Sequence, residues 1–287
     1  MTMHSDQWIN KTILITGGAG SIASQVVKEL IKLPVKTVRV FDIDENALFK
    51  LGREIGNNNK FRPLLGDVRD RERVKMAVNG VDIIIHTAAI KNIEVSEYNA
   101  PETCRTNIDG TTNLIEIAMS HNINKFIFIS SDKAVVSSTL YGATKYVGEK
   151  LVMWASKISL STKFCVLRFG NVIETRGNVF DVWRKDLEMK RPLTITDTNM
   201  TRYFWHINEA TTFILDRTLD MVNGYIYVPK MKEKNIMDLA HEFAKENNIK
   251  LEYNVIGLRC GEKMDEYLFS VYDESPTDKG SYWEIKG

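Results

Sequence analysis

Short aliphatic and β-branched runs alternate with amphipathic stretches along the first 168 residues. Residues 12–16, 37–41, 62–65, 81–86, 126–129 and 164–169 predict strands. Residues 22–32, 47–55, 71–78, 100–120 and 140–158 carry apolar positions at helical spacing and predict helices, with Pro34 stopping the first and Pro101 starting the fourth. The run at 81–86 is apolar almost throughout, as expected of a strand covered on both faces. Strands alternating with helices at this spacing predict an α/β protein with a Rossmann-type doubly wound parallel sheet. Beyond Arg168 the pattern loosens. Residues 170–200 are rich in polar and turn residues, 208–221 and 235–247 read as helices, and 225–228 and 251–256 as strands. The tail from Asp273 (Asp-Glu-Ser-Pro-Thr-Asp-Lys-Gly) reads as loose. The expected division is residues 1–168 with about 203–228 as the sheet domain, and about 169–202 with 229–287 as a smaller discontinuous lobe.

Composition narrows the classes. A chain of 287 residues that is 44% apolar can bury a full core. With 38 basic against 37 acidic residues neither sign dominates, which weighs against a nucleic acid or a membrane surface as partner. Cys104, Cys165 and Cys260 are scattered and read as reduced thiols. Residues 1–11 lack the apolar core of a signal peptide, and no apolar run approaches the length of a membrane span. A cytoplasmic location is therefore expected. His4, His86, His121, His206 and His241 show no ligand spacing, so no metal is expected. His86 ends a buried strand and reads as structural.

The first strand runs into Thr16-Gly17-Gly18-Ala19-Gly20-Ser21-Ile22-Ala23. Gly17 permits a tight turn, and Gly20 lets backbone N–H groups near Ser21 and Ile22 approach a pyrophosphate at a helix N-terminus. Asp42, at the end of the second strand, is placed to accept hydrogen bonds from adenosine ribose hydroxyls. With Ile43 beside it there is no partner for a 2′-phosphate, which favours NAD over NADP without excluding the latter; a turn or helix-capping carboxylate is the competing role. Asp67 and Val68 are placed to flank the adenine. Ala88 and Ala89 would let the dinucleotide lie close to the backbone. The domain of residues 1–168 thus reads as the NAD(P)-binding one.

The densest chemistry lies at Ser130-Ser131-Asp132-Lys133 and Tyr141-Gly142-Ala143-Thr144-Lys145. Tyr141 and Lys145 share a helix face. A nearby ammonium lowers the pKa of a phenol, so that Tyr141 can take a hydroxyl proton while hydride leaves the same carbon. Ser131 can hydrogen-bond the same oxygen. Asp132 and Lys133 suggest a second reaction, although an exposed ion pair would look the same. A ketone made by oxidation acidifies the neighbouring C–H. Lys133, if held neutral, could take that proton, and Asp132, if protonated, could donate to a departing hydroxyl. The retained hydride would then reduce the resulting alkene. Both groups would need pKa values moved toward neutrality.

These residues resemble the extended short-chain dehydrogenase/reductases, and within them the inverting UDP-N-acetylglucosamine 4,6-dehydratases that begin pseudaminic acid synthesis. The resemblance spans about residues 11–270. It is carried by the glycine loop, His86-Thr-Ala-Ala-Ile-Lys91, Glu97-Tyr-Asn-Ala-Pro101 and Thr106-Asn-Ile-Asp-Gly110. The two chemical motifs, Arg168-Phe-Gly-Asn-Val172, Met200-Thr-Arg202 and Gly257-Leu-Arg-Cys-Gly-Glu-Lys263 complete it. It implies that Tyr141, Lys145 and Ser131 oxidise C4 of a UDP-sugar, that Lys133 is the C5 base, and that Asp132 is the acid at the C6 hydroxyl. Hydride would return to C6, with the cofactor held tightly and recycled, and C5 would be reprotonated from the opposite face. It places Lys91, Asn171, Arg202, Arg259 and Glu262 around the nucleotide-sugar. Arg202 and Arg259 suit a diphosphate. It further implies a homo-oligomer, dimer or higher, and a nucleotide-sugar-binding role for the smaller lobe. Tyr141, where membrane-anchored retaining relatives carry Met, points to the soluble branch. The chain departs from the pattern at Asp42-Ile43, where a basic residue and NADP are usual, at Asn92, at Glu174-Thr175-Arg176, at Cys260, which replaces a Pro, and in an early C-terminus. A UDP-sugar 4-epimerase or reductase would use Tyr141 and Lys145 without Asp132 and Lys133. A non-catalytic dinucleotide binder would need neither pair.

Overall fold

A computed structural model of the chain describes residues 5–175, 177–259 and 261–287; His4, Arg176 and Cys260 lie outside the described residues. The order begins β1 (Thr12–Thr16), α1 (Ser21–Leu30), β2 (Thr37–Asp42), α2 (Glu45–Ile55), β3 (Phe61–Leu65), α3 (Arg71–Val78) and β4 (Ile83–His86). Three helical segments follow, α4 (Ile93–Tyr98), α5 (Ala100–Cys104) and α6 (Gly110–Ser120), then β5 (Lys125–Ile129), α7 (Leu140–Ile158) and β6 (Lys163–Leu167). Next come β7 (Asn171–Val172), α8 (Val179–Glu188), β8 (Leu193–Ile195), β9 (Thr201–Trp205), α9 (Ile207–Asp220) and β10 (Tyr225–Pro229). The chain closes with β11 (Lys232–Asn235), α10 (Ile236–Glu246), β12 (Tyr253–Val255), β13 (Thr277–Asp278) and β14 (Tyr282–Lys286).

Among the described residues, nine strands form one sheet in the order β13-β14-β10-β6-β5-β4-β1-β2-β3. From β3 to β10 every pairing is parallel. The strand order reverses between β1 and β4, which opens a crevice at their C-terminal ends. Within the apolar runs, successive side chains go to opposite cores. Ile13, Ile15, Ile127 and Ile129 pack with Val26, Leu48 and Ile214 from α1, α2 and α9. Leu14, Phe126 and Phe128 pack with Val74, Leu114 and Val152 from α3, α6 and α7. A third core, with Trp183, Leu193, Phe204, Leu239 and Phe243, holds α8, β8, β9 and α10 together as the smaller lobe.

Three expectations are corrected. Residues 100–120 are not one helix: a π turn over Arg105–Asp109 separates α5 from α6. It turns the buried Asn107 amide toward Ile90, whose N–H donates to Oδ1 (2.8 Å) and whose carbonyl accepts from Nδ2 (3.0 Å). Residues 170–200 contain α8, capped where Asp181 N donates to Asn178 Oδ1 at 3.0 Å and anchored by the fully buried Trp183. The tail is ordered as a hairpin: β14 pairs antiparallel with β10, Ile285 is buried, and Trp283 meets Phe269 edge to face at 5.0 Å. Residues 277–286 therefore extend the large sheet rather than the smaller lobe.

Just past β6, Arg168 ties three segments together beneath the crevice. Its Nε and Nη2 donate to Glu149 Oε1 (3.0 Å) and Oε2 (2.7 Å), and Nη1 donates to Asp273 Oδ2 (2.7 Å). Both side chains of the Arg168–Glu149 pair are almost fully buried. Replacing Arg168 with Met strands the Glu149 carboxylate, which is expected to cost about 3–5 kcal/mol of stability. Urea unfolding checks this; an unchanged midpoint would show that the network holds nothing.

Candidate active site

The C-terminal ends of β1, β2, β4 and β5 open into a cleft of about 920 Å³ that the smaller lobe walls on its far side. Gly17 has φ +63°, and a Cβ there would lie 2.7 Å from the backbone of Ala88. Only glycine lets the two loops, Gly17–Gly20 and Ala88-Ala89, run this close. No side chain caps the start of α1, whose first residues Ser21 and Ile22 line the cleft. The Asp42 carboxylate is fixed by two backbone donors, Ala19 N to Oδ2 and Asp44 N to Oδ1, each at 3.0 Å. Each oxygen keeps a second acceptor site. Asp67 and Val68 line the same cleft. Burial pushes the Asp67 pKa up, but hydrogen bonds and charge from Arg69 outweigh it and hold the carboxyl below its ordinary range. The residues present fit a dinucleotide: a side-chain-free loop, an open helix N-terminus and an anchored acid follow one another along the crevice.

His86 is a structural group. The Thr111 hydroxyl donates to Asn107 O at 2.6 Å, so it accepts from His86 Nε2 at 2.9 Å, which leaves Nδ1 to accept from Thr16 Oγ1 at 2.7 Å. Burial, with Lys145 nearby, pushes its pKa down to about 3, so the ring stays neutral.

Ser131 leaves β5 and opens the one-turn segment Asp132–Ala134. Its Oγ donates to Asp132 Oδ1 at 2.8 Å, and Lys133 Nζ donates to the same oxygen at 3.1 Å. Asp132 is fully buried, and its Oδ2 has no hydrogen-bond partner. α7 begins directly against this turn. Thr139 caps it, Glu97 Oε1 accepts from Leu140 N at 2.7 Å, and a Cβ on Gly142 would lie 2.2 Å from Lys133 O. Gly142→Ala must therefore push the Lys133 turn away from Tyr141. A loss of about 10²-fold in turnover is expected from a displacement near 1 Å, with the unfolding midpoint measured alongside; normal turnover would show that the turn tolerates the shift.

The electrostatics differ from the expectation in two respects. Burial works to lower the Lys133 pKa, but Asp132 and a second carboxylate, Glu266, outweigh it and hold the amine above its ordinary value. Lys133 is thus an ammonium in an ion pair, not a neutral amine. Burial raises the Tyr141 pKa, and the opposing groups are Lys133 and the Ser131 hydroxyl rather than Lys145. Lys145 donates to Ile129 O at 2.7 Å and lies 4.5 Å from the Phe128 ring. Burial, partly offset by Glu149, brings its pKa down to about 8.

All five expected substrate residues line the cleft. Lys91 has its pKa lowered by burial, against the pull of Asp181. Asn171 Nδ2 donates to Tyr203 O at 3.4 Å. Arg202 departs from the expectation of an open fork: its guanidinium donates to Thr201 O (2.7 Å), Met264 O (2.8 Å) and Lys263 O (2.8 Å), and it lies 3.6 Å from Glu262. It holds the segment after Gly261 in place. Arg259 is half exposed and pairs with Glu94 at 3.3 Å, without the three carbonyl contacts that occupy Arg202. Glu266 belongs to none of the sequence motifs, although its i,i+3 spacing from Lys263 fits the 3.0 Å pair they form.

A family model described as polysaccharide biosynthesis protein matches residues 13–286. A Methanocaldococcus jannaschii protein named as an uncharacterized membrane protein is 42% identical over 92% of this chain and 82% of its own. Among the described residues of this chain, no helix is long and apolar enough to cross a membrane. A Campylobacter jejuni UDP-N-acetylglucosamine 4,6-dehydratase (inverting) is 38% identical over 93% of this chain and 80% of its own. The X-ray structure of Pen from Bacillus thuringiensis superposes with a TM-score of 0.93 at 31% identity, covering 98% of this chain and 87% of that one.

Proposed function

From a chain that belongs to the polysaccharide biosynthesis protein family, on the short-chain dehydrogenase/reductase fold, we propose a nucleotide-sugar 4,6-dehydratase acting on UDP-N-acetylglucosamine. The observation that carries the reading is the buried Asp132, with its unpartnered Oδ2, paired to Lys133 in the same cleft as Tyr141. Oxidation or epimerisation at C4 uses Tyr141, Ser131 and Lys145. A second acid and base beside them supports elimination of water.

The chemistry supplied by bound NAD is acceptance of hydride from C4 and its return at C6. Gly17, Gly20, Ser21 and Ile22 would hold its pyrophosphate, Asp42 its ribose hydroxyls, and Asp67 with Val68 its adenine. Asp42 and Ile43 favour NAD over NADP. Tyr141 takes the C4 hydroxyl proton, with the Ser131 hydroxyl on the same oxygen. Lys133 Nζ takes the C5 proton, and the Asp132 carboxyl, protonated at Oδ1, gives that proton to the C6 hydroxyl, which leaves as water. These roles need a neutral amine beside a protonated acid. The ion pair reaches that state by moving one proton from Nζ to Oδ1 across 3.1 Å, without exchange with solvent. Reprotonation of C5 from the opposite face gives the inverted product, the outcome in the name of the Campylobacter relative. Arg259 and Lys91 face the diphosphate, with Asn171 and Glu262 about the sugar nucleotide and Arg202 behind them. Tyr146, Trp154 and Ile158, exposed along one face of α7, support a homo-oligomer.

Incubation with UDP-N-acetylglucosamine in deuterated water, followed by NMR, tests the reading. A 4-keto-6-deoxy sugar with deuterium at C5 is expected. A C4 epimer without loss of water would replace it with an epimerase, and no turnover with cofactor bound would replace it with a non-catalytic dinucleotide binder.

A further inference from the structure

Lys133 Nζ lies between two carboxylates: Asp132 Oδ1 at 3.1 Å, from its own turn, and Glu266 Oε1 at 3.5 Å, from the far end of the chain. Glu266 is only 4% exposed, and its other oxygen accepts from Lys263 Nζ at 3.0 Å. Lys263 Nζ also donates to Val135 O at 2.8 Å, and Ser138 Oγ donates to Gly261 O at 2.6 Å. These bonds lace the segment 261–266 to the turn that carries Asp132 and Lys133. Lacing alone would be served by Lys263 and Ser138. A buried carboxylate aimed at one catalytic amine adds something that a structural tie does not need.

We propose that Glu266 is a positioning residue for elimination: it holds the Lys133 amine in place and stabilises the positive charge that the amine acquires on taking the C5 proton. The proposal rests on the function given above. At the moment Lys133 acts as a base, Asp132 is protonated and neutral. Glu266 stays charged through that step and is already in place, so it need not reorganise as charge develops. Before the step it has the opposite effect and resists loss of the proton from Lys133. That resistance can be read directly. The groups facing Lys133 are Asp132 from its own turn, Tyr141 from α7, Arg202 from β9, Lys91 from the segment after β4, and Glu266. Among these, Glu266 is the carboxylate whose charge does not change during the reaction.

The test is an NMR titration of the Lys133 side chain in protein carrying isotope-labelled lysine, its signal assigned by its loss in Lys133→Arg. Glu266→Gln is expected to lower the Lys133 titration by about one pH unit or more, the scale of an opposite charge a few ångströms away. Lys263→Met, which cuts the lacing and spares the carboxylate, is expected not to lower it. In Glu266→Gln the rising limb of C5 deuterium exchange from solvent should move to lower pH, and that of C4 oxidation should not follow. A folded Glu266→Gln protein with Lys133 titrating as in the wild type overturns the proposal, as does an equal drop in Lys263→Met. If Glu266→Gln does not fold, Glu266→Asp, which keeps the charge and shortens its reach, must lower the titration by a smaller amount; no shift overturns the proposal. The titration needs no substrate, so its failure is separate from the failure of wild-type protein to dehydrate the UDP-sugar.

Discussion

Tyr141→Phe is expected to slow oxidation at C4 by about 10²- to 10⁴-fold, the usual worth of a positioned proton acceptor. Dehydration should fall by the same factor, because the C5 proton becomes acidic only once the ketone exists. The phenol is buried, and burial holds its pKa above the ordinary value against Lys133 and Ser131. It therefore depends on the cations around it to become a base. Lys133 supplies that charge, while Lys145 donates to Ile129 O. Removing the hydroxyl leaves the aromatic ring in its packing, so the unfolding midpoint should move little. Single-turnover nicotinamide fluorescence after mixing with UDP-N-acetylglucosamine measures the oxidation step. Wild-type rates in Tyr141→Phe would remove Tyr141 from the mechanism.

The readable parts of this protein were those whose meaning is local. A run such as Ile83-Ile84-Ile85 states both its strand and its two-sided burial, because adjacent side chains must point apart and neither face tolerates a charge. Gly17 was legible because the turn out of β1 needs positive φ and an open approach to Ala88. Ser131, Asp132, Lys133, Tyr141 and Lys145 lie within fifteen positions of one another, on a strand end and the helix that follows it. Their convergence needed no knowledge of the rest of the chain.

What stayed hidden depended on partners far along the sequence. The charge on Lys133 is held by Asp132 together with Glu266, which only the folded chain brings to 3.5 Å. Arg202 reads as an anion-binding fork until the carbonyls of Thr201, Lys263 and Met264 are seen to occupy it. The C-terminal hairpin was obscured by its own turn chemistry. Pro276, Lys279 and Gly280 suggested a loose tail, whereas Tyr282-Trp283-Glu284-Ile285 is the strand that the edge of β10 accepts. The break between α5 and α6 has no compositional mark at all; it follows from where the Asn107 amide is needed.

Lys133→Ala should separate the two reactions. Oxidation at C4 keeps Tyr141, Ser131 and Lys145, so reduced cofactor should form and then accumulate, because the ketone has lost the base that would carry it forward. Oxidation itself should slow, since Lys133 is the cation that opposes the effect of burial on Tyr141. Elimination should fall much further, by about 10³-fold or more, with the base gone. Asp132 loses its ammonium partner in the same change and is left with a buried carboxyl beside Ser131. Asp132 itself is untouched by the change, so the group assigned as acid for the C6 hydroxyl remains in place. Small primary amines added to Lys133→Ala should therefore restore some dehydration, rising with the free-base fraction as pH increases. Stopped-flow fluorescence for the cofactor, with NMR of the C5 position in deuterated water, resolves the two steps. Dehydration at the wild-type rate in Lys133→Ala would assign the C5 base to another group and remove Lys133 from elimination.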